Sequence, residues 1–467
     1  MDKLYKSKMD IPSDMRYMVQ QLSGYSRNTV KIQSLNQNTL STNGGATQLR
    51  FSLPVSSIVN MESLSMHGTV QSYGVAASGA AGADANGVIA LIPRGGLSAL
   101  LDRVSWTAGG IALDSGHSLY NLVYAMKENI EKSSDKFMSD DRVLAQSTID
   151  VPAAPSDATN WGQRKQLVQN NFLGFTQCAP CYVDASLLPE LFCTMQLADS
   201  SVLPVQYQGT TLGNRTPLNA PAAGAFNGSE CRFAIEDIFF TIEVLSVGNG
   251  ILSALQERLL SRDGSIDIPY FQHQVFTTDA SSAGVSLRGS VSTMSLNKMY
   301  GCFRNTAPAS DSPVPLADPY TQQQPPVKAE DNTSFAYQQA FCNLISGGIQ
   351  DWSFRLNNSP YPLYKADTLD AYNYAVCAND RTYRKDAGSL VGSQDTWKNN
   401  CWVACQRLSH NDDPRLVSGM DLRSINSQIN FDVGAASTGS FKRQAVLVTE
   451  QVSMLRVGEG RSLAVIA

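Results

Sequence analysis

Cys178 and Cys181, in "CAPC", have the spacing of a redox pair or half a zinc site, and they are the first place to ask what chemistry this 467-residue chain performs. A structural zinc site needs a second pair at matching spacing. Cys401 and Cys405 form C-x-x-x-C, more than two hundred residues on. The nine cysteines (178, 181, 193, 231, 302, 342, 377, 401, 405) are odd in number, and most sit singly in apolar stretches such as "AFCNLI" and "YAVCAND", which predicts reduced, buried thiols. "GNGILS" places Gly248 and Gly250 as a dinucleotide fingerprint would, with Asp267 downstream, but Ser253 replaces the third glycine and no βαβ unit surrounds it. The chain has no G-x-x-x-x-G-K-[ST], no G-x-S-x-G and no H-E-x-x-H. Its four histidines (His67, His117, His273, His410) are isolated and are expected on the surface or in satisfied core positions. His117 adjoins Ser118, but neighbouring side chains on a helix or strand point apart. Asp140 with Asp141 and Asp412 with Asp413 lie in polar loops, where solvated carboxylates are expected. Asn214, Asn227, Asn332 and Asn357 open sequons without a secretory signal and read as unmodified loop residues. No catalytic, cofactor-binding or metal site is expected.

Composition points to surfaces that other subunits cover. Hydrophobic residues make up 43% of the chain but charged residues only 16%, against about 25% in ordinary domains. Ser, Thr, Asn, Gln and Gly fill the difference, as long polar loops or as broad faces for neighbours. The net charge of −5, with no positive cluster beyond Lys3, Lys6 and Lys8, gives no electrostatic footprint for direct nucleic-acid binding. The N-terminus lacks a signal-peptide core and no window reaches the length of a membrane span, so the chain is expected to start and stay in the cytosol.

Strand periodicity dominates. In "CRFAIEDIFFTIEVLSV" (231–247), Ile238, Phe240, Ile242 and Val244 alternate with Phe239, Thr241, Glu243 and Leu245, while Glu236 and Asp237 break the pattern as a bulge would. Strands are also predicted in "TVKIQSL", "TQLRFSLPV" and "MESLSMHGTVQSYG", followed by an exposed loop over 75–87. "LLDRVSWTAGGIALDS" reads as a hairpin turning at Gly109 and Gly110, with the short helix "HSLYNLVYAMKEN" behind it. The second half repeats this order. "DWSFRLNNSPYPLY" alternates Trp352, Phe354 and Leu356 into a turn, with Tyr361 and Leu363 expected to alternate on the return, and the helix candidate "DTLDAYNYAVCAN" follows. "RQAVLVTEQVSMLRV" (443–457) echoes the strand at 231–247, with Glu450 where Glu236 stands. Long insertions are expected at 131–168, 199–230 and 305–334.

These patterns divide the chain into an N-terminal arm (1–27), a first sandwich (28–247), a connector helix (248–265) and a second sandwich (266–467), an all-β class with short helices and long loop insertions. In the arm, residues 10–22 fit a short amphipathic helix with Met15, Met18, Val19 and Leu22 on one face, either packed on its own domain or docking on a neighbour or an internal membrane.

The order of elements over roughly residues 28–467 resembles the double jelly-roll major capsid proteins of polinton-like viruses, virophages and the adenovirus and tectivirus lineage. The resemblance rests on "PRGGLSALLDRVSWTAGGIALDSGHSLYNL", on "FAIEDIFFTIEVLSV" with the following "IDIPYFQHQVF", and on "GMDLRSINSQINFDV" before the terminal strand. It implies two tandem jelly rolls, a homotrimer forming a pseudo-hexagonal capsomer, and an icosahedral shell shared with neighbouring capsomers, penton and minor capsid proteins. It implies location in the virion after assembly inside the host cell, with no enzyme activity and no cofactor. The rival reading is a jelly-roll carbohydrate-binding or glycan-hydrolysing protein, commonly exported and rich in disulfides or calcium. A spike or penton base is disfavoured by the tandem repeat.

Overall fold

A computed structural model describes residues 25–42, 45–55, 57–74, 87–88, 96–114, 118–131, 164–170, 172–198, 207–208, 216–217, 231–247, 257, 264–280, 284–305, 349–367, 370–371, 402–423, 428–434, 443–458 and 462–466. Most of the arm, with Met15, Met18, Val19 and Leu22, lies outside them, as do the 75–86 loop, most of the three insertions and most of the expected connector helix; of these, residues 25–27 and Ser265 prove to be strand, while Glu257 is helical.

The first half contains β1 (Tyr25–Gln33), β2 (Leu40–Ser41), β3 (Gln48–Ser52), β4 (Ile58–Gly74), β5 (Gly87–Val88), β6 (Leu101–Ala108), β7 (Ile111–Asp114), helix α1 (Tyr120–Glu131), β8 (Arg164–Gln169), β9 (Tyr182–Asp184), β10 (Leu191–Leu197), β11 (Tyr207–Gln208), β12 (Thr216–Pro217) and β13 (Cys231–Val247). Its two main sheets run β1-β13-β4-β8 and β3-β10-β6-β7. The second half contains β14 (Ser265–Ala280), β15 (Val285–Ser290), β16 (Leu296–Asn305), β17 (Trp352–Leu356), β18 (Ser359–Ala366), β19 (Ala404–Arg407), β20 (Gln428–Val433), β21 (Arg443–Gly458) and β22 (Leu463–Ile466). Its sheets run β14-β21-β16-β19 and β15-β20-β17-β18. The two main sheets of each half match strand for strand: the first strand pairs with the long closing strand, β1 with β13 and β14 with β21, and the two-sheet Greek-key order is that of a jelly roll, built twice.

Alternation explains why these segments are strands. In β13, Phe233, Ile235, Ile238, Phe240 and Ile242 are buried in the first sandwich. The two runs keep the same facing because the chain bulges where the sequence pattern breaks. Asp237 has φ 53°, and the register with β4 shifts between Glu236 and Phe239.

Both hairpins turn in the same way. Gly109 and Gly110 have φ of 55° and 86°, and Asn357 and Asn358 have 48° and 75°, so each two-residue turn takes positive φ twice, which suits the strand twist and selects Gly or Asn. The return strands differ. In β7 one residue, Leu113, is extra, because Thr107 pairs with Ala112 and Trp106 with Asp114. In β18, Phe354 pairs with Tyr361 and Trp352 with Ala366, so two steps on β17 face five on β18. Residues 362–365 therefore bulge from a free sheet edge. Tyr361 packs on the second core as expected, but Leu363 does not follow it inward: it is 86% exposed, because the extra residues undo the alternation.

Helix α1 begins where the sequence places it. The Leu119 N–H donates to Asp102 Oδ1 at 3.0 Å, and Leu122, Val123 and Met126 are fully buried against the first sandwich. In the second half only Asp367, Asp370 and Ala371 of the expected helix are described, the last two helical, and the Asp367 N–H donates to Asp370 Oδ2 and the Asp370 N–H to Asp367 Oδ1, a reciprocal cap.

Candidate functional site

The seam between the sandwiches joins them through both apolar and polar contacts. The outward residues of the sheet β14-β21-β16-β19, including Tyr300, Cys302, Val446 and Val448, have no exposed surface and join the apolar cluster of the first sandwich. A sheet buried on both faces is why β21 reads as a near-continuous apolar run, "AVLV". An aromatic series crosses the seam. Phe240 stacks on Phe51, which meets Trp106 edge-on, then Phe175, then Tyr270 of β14 at 5.2 Å between ring centroids. The Tyr270 hydroxyl donates to the carbonyl of Leu113, the extra residue of β7, at 2.5 Å. The Ala179 N–H donates to Pro269 O at 2.9 Å.

Within this seam sits a buried ionic cluster. Lys127 of α1 places Nζ 2.5 Å from Glu450 Oε2 of β21 and 3.4 Å from His273 Nε2 of β14. His273 Nε2 is 3.3 Å from the same carboxylate oxygen, and Lys298 of β16 lies 3.7 Å from Glu450 Oε1. Lys298 also reaches Asp412 Oδ1 at 3.1 Å, which Arg407 meets at 3.5 Å. Burial alone would raise the Glu450 carboxyl, but Lys127, Lys298 and His273 hold it well below the usual carboxylate range. The arrangement has the character of a structural lock between elements far apart in sequence.

One glycine makes the seam possible. Gly174, before the short turn Phe175–Gln177, has φ 90°, and a Cβ there would fall 2.2 Å from Asp114 Oδ2. Gly174→Ala is expected to destabilise the protein by more than about 1 kcal/mol, measured by denaturant unfolding, because it adds backbone strain to a clash with a buried carboxylate.

The residues singled out for chemistry are scattered. Cys178, Cys181, Cys193, Cys302 and Cys405 form no disulfide, and all but Cys181 are buried. Burial, with the neighbouring Cys181, pushes the Cys178 thiol up to about 12, leaving almost no thiolate at neutral pH. Among the described residues no group of three or more His, Cys, Asp or Glu side chains converges on a metal position. His67 stacks on Phe239 at 4.5 Å and meets the Thr241 hydroxyl at 3.1 Å, and His410 lies on an exposed loop. His117, Asp140 and Asp141 lie outside the described residues. Asp413 pairs with Arg415 on the surface as a solvated carboxylate does, whereas Asp412 is drawn toward Lys298 and Arg407. Sequence reading missed the cluster of Lys127, His273, Lys298 and Glu450. The only signal was polar residues inside otherwise apolar strands, as at "VLVTEQV".

No protein-family model and no curated protein sequence matches the chain. Solved structures do. The PBCV-1 virus capsid aligns with a TM-score of 0.58 at 10% identity over 97% of this chain and 99% of its own. The Faustovirus major capsid protein gives 0.55 at 12% identity over 97% and 94%, and the Sputnik virophage structure 0.53 at 12% over 98% and 91%. Identity this low speaks to fold, and the fold is shared from end to end: two jelly rolls in tandem, as in these viral capsid structures.

Proposed function

We propose that this chain is a major capsid protein: it trimerises into pseudo-hexagonal capsomers, and these tile the icosahedral shell of a DNA virus. The observation that carries the reading is the doubled jelly roll with a fully buried seam, end to end with capsid proteins of known structure. A rigid pair of like sandwiches is what a three-fold tile with six-fold outline requires, since each copy then supplies two near-equivalent corners. The partners are other copies of the chain, neighbouring capsomers, and penton and minor capsid proteins. Nucleic acid is not contacted directly, and the protein acts in the virion without turnover. In this scheme the two sandwiches span 28–247 and 266–467, their first strands starting slightly earlier, at Tyr25 and Ser265, than the sequence boundaries; the residues between them form the connector helix, and the residues before Tyr25 an arm tying capsomers to the inner surface through Met15, Met18, Val19 and Leu22.

Light scattering and electron microscopy of the purified protein test this. Trimers or shells are expected. A monomer that binds or cleaves glycans would favour the carbohydrate reading instead. Deleting residues 1–24 is expected to leave soluble trimers and impair shells, and intact shells from that variant would remove the arm from the scheme.

A further inference from the structure

Two elements of the seam have counterparts elsewhere in the chain: the edge strand of the first sandwich and the outer sheet of the second. The first sandwich offers the edge strand β7, with its extra residue Leu113 receiving the Tyr270 hydroxyl. The second sandwich offers the outer face of β14-β21-β16-β19, on which Tyr270, Tyr300, Cys302, Val446 and Val448 have no exposed surface. The counterpart of β7 is β18, the matching edge of the matching sheet, and the counterpart of the covered sheet is β1-β13-β4-β8.

Both counterparts are open. On β18 the bulge 362–365 carries Leu363 at 86% exposure and Tyr364 at 51%, the largest apolar exposure on any described strand. On the open sheet, Arg27, Thr29 and Lys31 of β1 are exposed, and Phe239 of β13 is half-buried beneath Lys31 Nζ, 3.9 Å from its ring. The corresponding strands of the second sandwich, β14, β21 and β16, show Tyr300, Cys302, Val446 and Val448 with no exposed surface.

We propose that the bulged edge of β18 in one copy docks on the outer face of β1-β13-β4 in the next copy, repeating between chains the contact that the seam makes within one. The inference rests on the capsomer reading above and specifies its faces. Such a contact is heterologous, one surface meeting a different one, so successive copies close into a ring when the rotation permits. Charge supports the pairing: Asp367 and Asp370 stand at the end of the bulged strand, and the exposed Lys31 stands on the receiving face, where Arg27 is already paired with Glu243 of its own chain. The two versions of the contact differ as their histories require. The intrachain seam surrounds its ionic cluster with fully buried Tyr300, Cys302, Val446 and Val448, whereas the open face interleaves Thr29, Ser65 and Thr241 with Phe239, as suits a surface that stays in water before assembly.

The experiment places benzoylphenylalanine at position 363 in the full chain, mixes it with isotope-labelled wild type, irradiates, and maps the cross-links by mass spectrometry. Cross-links from position 363 to residues 25–33, 58–74 or 231–247 of the other chain are expected. In parallel, Leu363→Asp is expected to raise the concentration at which half the protein is monomeric at least tenfold, while the monomers of variant and wild type, compared at concentrations below assembly, unfold alike on heating, since the side chain is exposed in the single chain. An oligomeric wild type whose Leu363→Asp variant assembles equally well, with cross-links landing elsewhere, would overturn the contact and leave the capsomer reading standing. A wild type that stays monomeric at every concentration would overturn both.

Discussion

Glu450→Gln is expected to cost about 3–5 kcal/mol of stability, because it leaves Lys127 and Lys298 charged and buried without their shared carboxylate. Glu450 is 1% exposed and Lys127 6%, so water cannot replace the lost partner. A double-mutant cycle separates lock from load. Lys127→Met with Glu450→Gln is expected to recover part of the loss, since removing both charges spares the desolvation cost of each. Lys298 keeps Asp412 as its counterion in that variant. The pH dependence has a definite sign. The Glu450 carboxyl is depressed in the folded protein, so its stabilising share is fully present above the unfolded value of about 4.3 and is lost as pH falls through the lower folded value. Denaturant unfolding between neutral pH and acid should show the wild type losing stability more steeply below about pH 4.5 than Glu450→Gln. Equal acid slopes in the two proteins would mean that the carboxylate is not what the lysines hold.

How far this cluster could be read in advance depends on sequence distance. The hairpin at Gly109 and Gly110, its partner at Asn357 and Asn358, and the break at Asp237 were all legible, because turn chemistry and two-residue alternation act between near neighbours. Lys127 and Glu450 are 323 residues apart, and nothing local marks either as the other's partner. Glu450 attracted notice only as an echo of Glu236. The echo holds for strand order and not for environment, since Glu236 is half-buried at a bulge while Glu450 is sealed beneath α1. Leu363 failed for a different reason. Alternation assumes an unbroken strand, and the extra residues in β18 break it. Pro360 and Pro362 were the available hint, because proline in a strand points to an edge or a bulge.

The other large effect lies at Tyr270. Tyr270→Ala is expected to cost about 3–5 kcal/mol, the range for deleting a fully buried aromatic, and to change the form of unfolding as well as its midpoint. In the wild type one apolar cluster runs from the first sandwich into Tyr300, Cys302, Val446 and Val448 of the second, so the two halves should melt together in a calorimeter despite their separate folds. Tyr270 is the last ring in the aromatic series that starts at Phe240, and it also closes the polar side of the seam through Leu113 O. Removing it empties the space beside Phe175 and leaves a buried carbonyl without its donor, and both losses fall on the seam alone. The predicted result is two resolved transitions, with the second core, built on Trp352, Phe354, Trp402 and Phe431, melting apart from the first. Tyr270→Phe isolates the hydroxyl. It keeps the ring against Phe175, so the loss should be about 1–3 kcal/mol with a single transition retained. Were Tyr270→Ala to unfold in one step like the wild type, coupling would have to reside in the Lys127–Glu450 lock, and combining the two replacements would then be the variant that splits the transition.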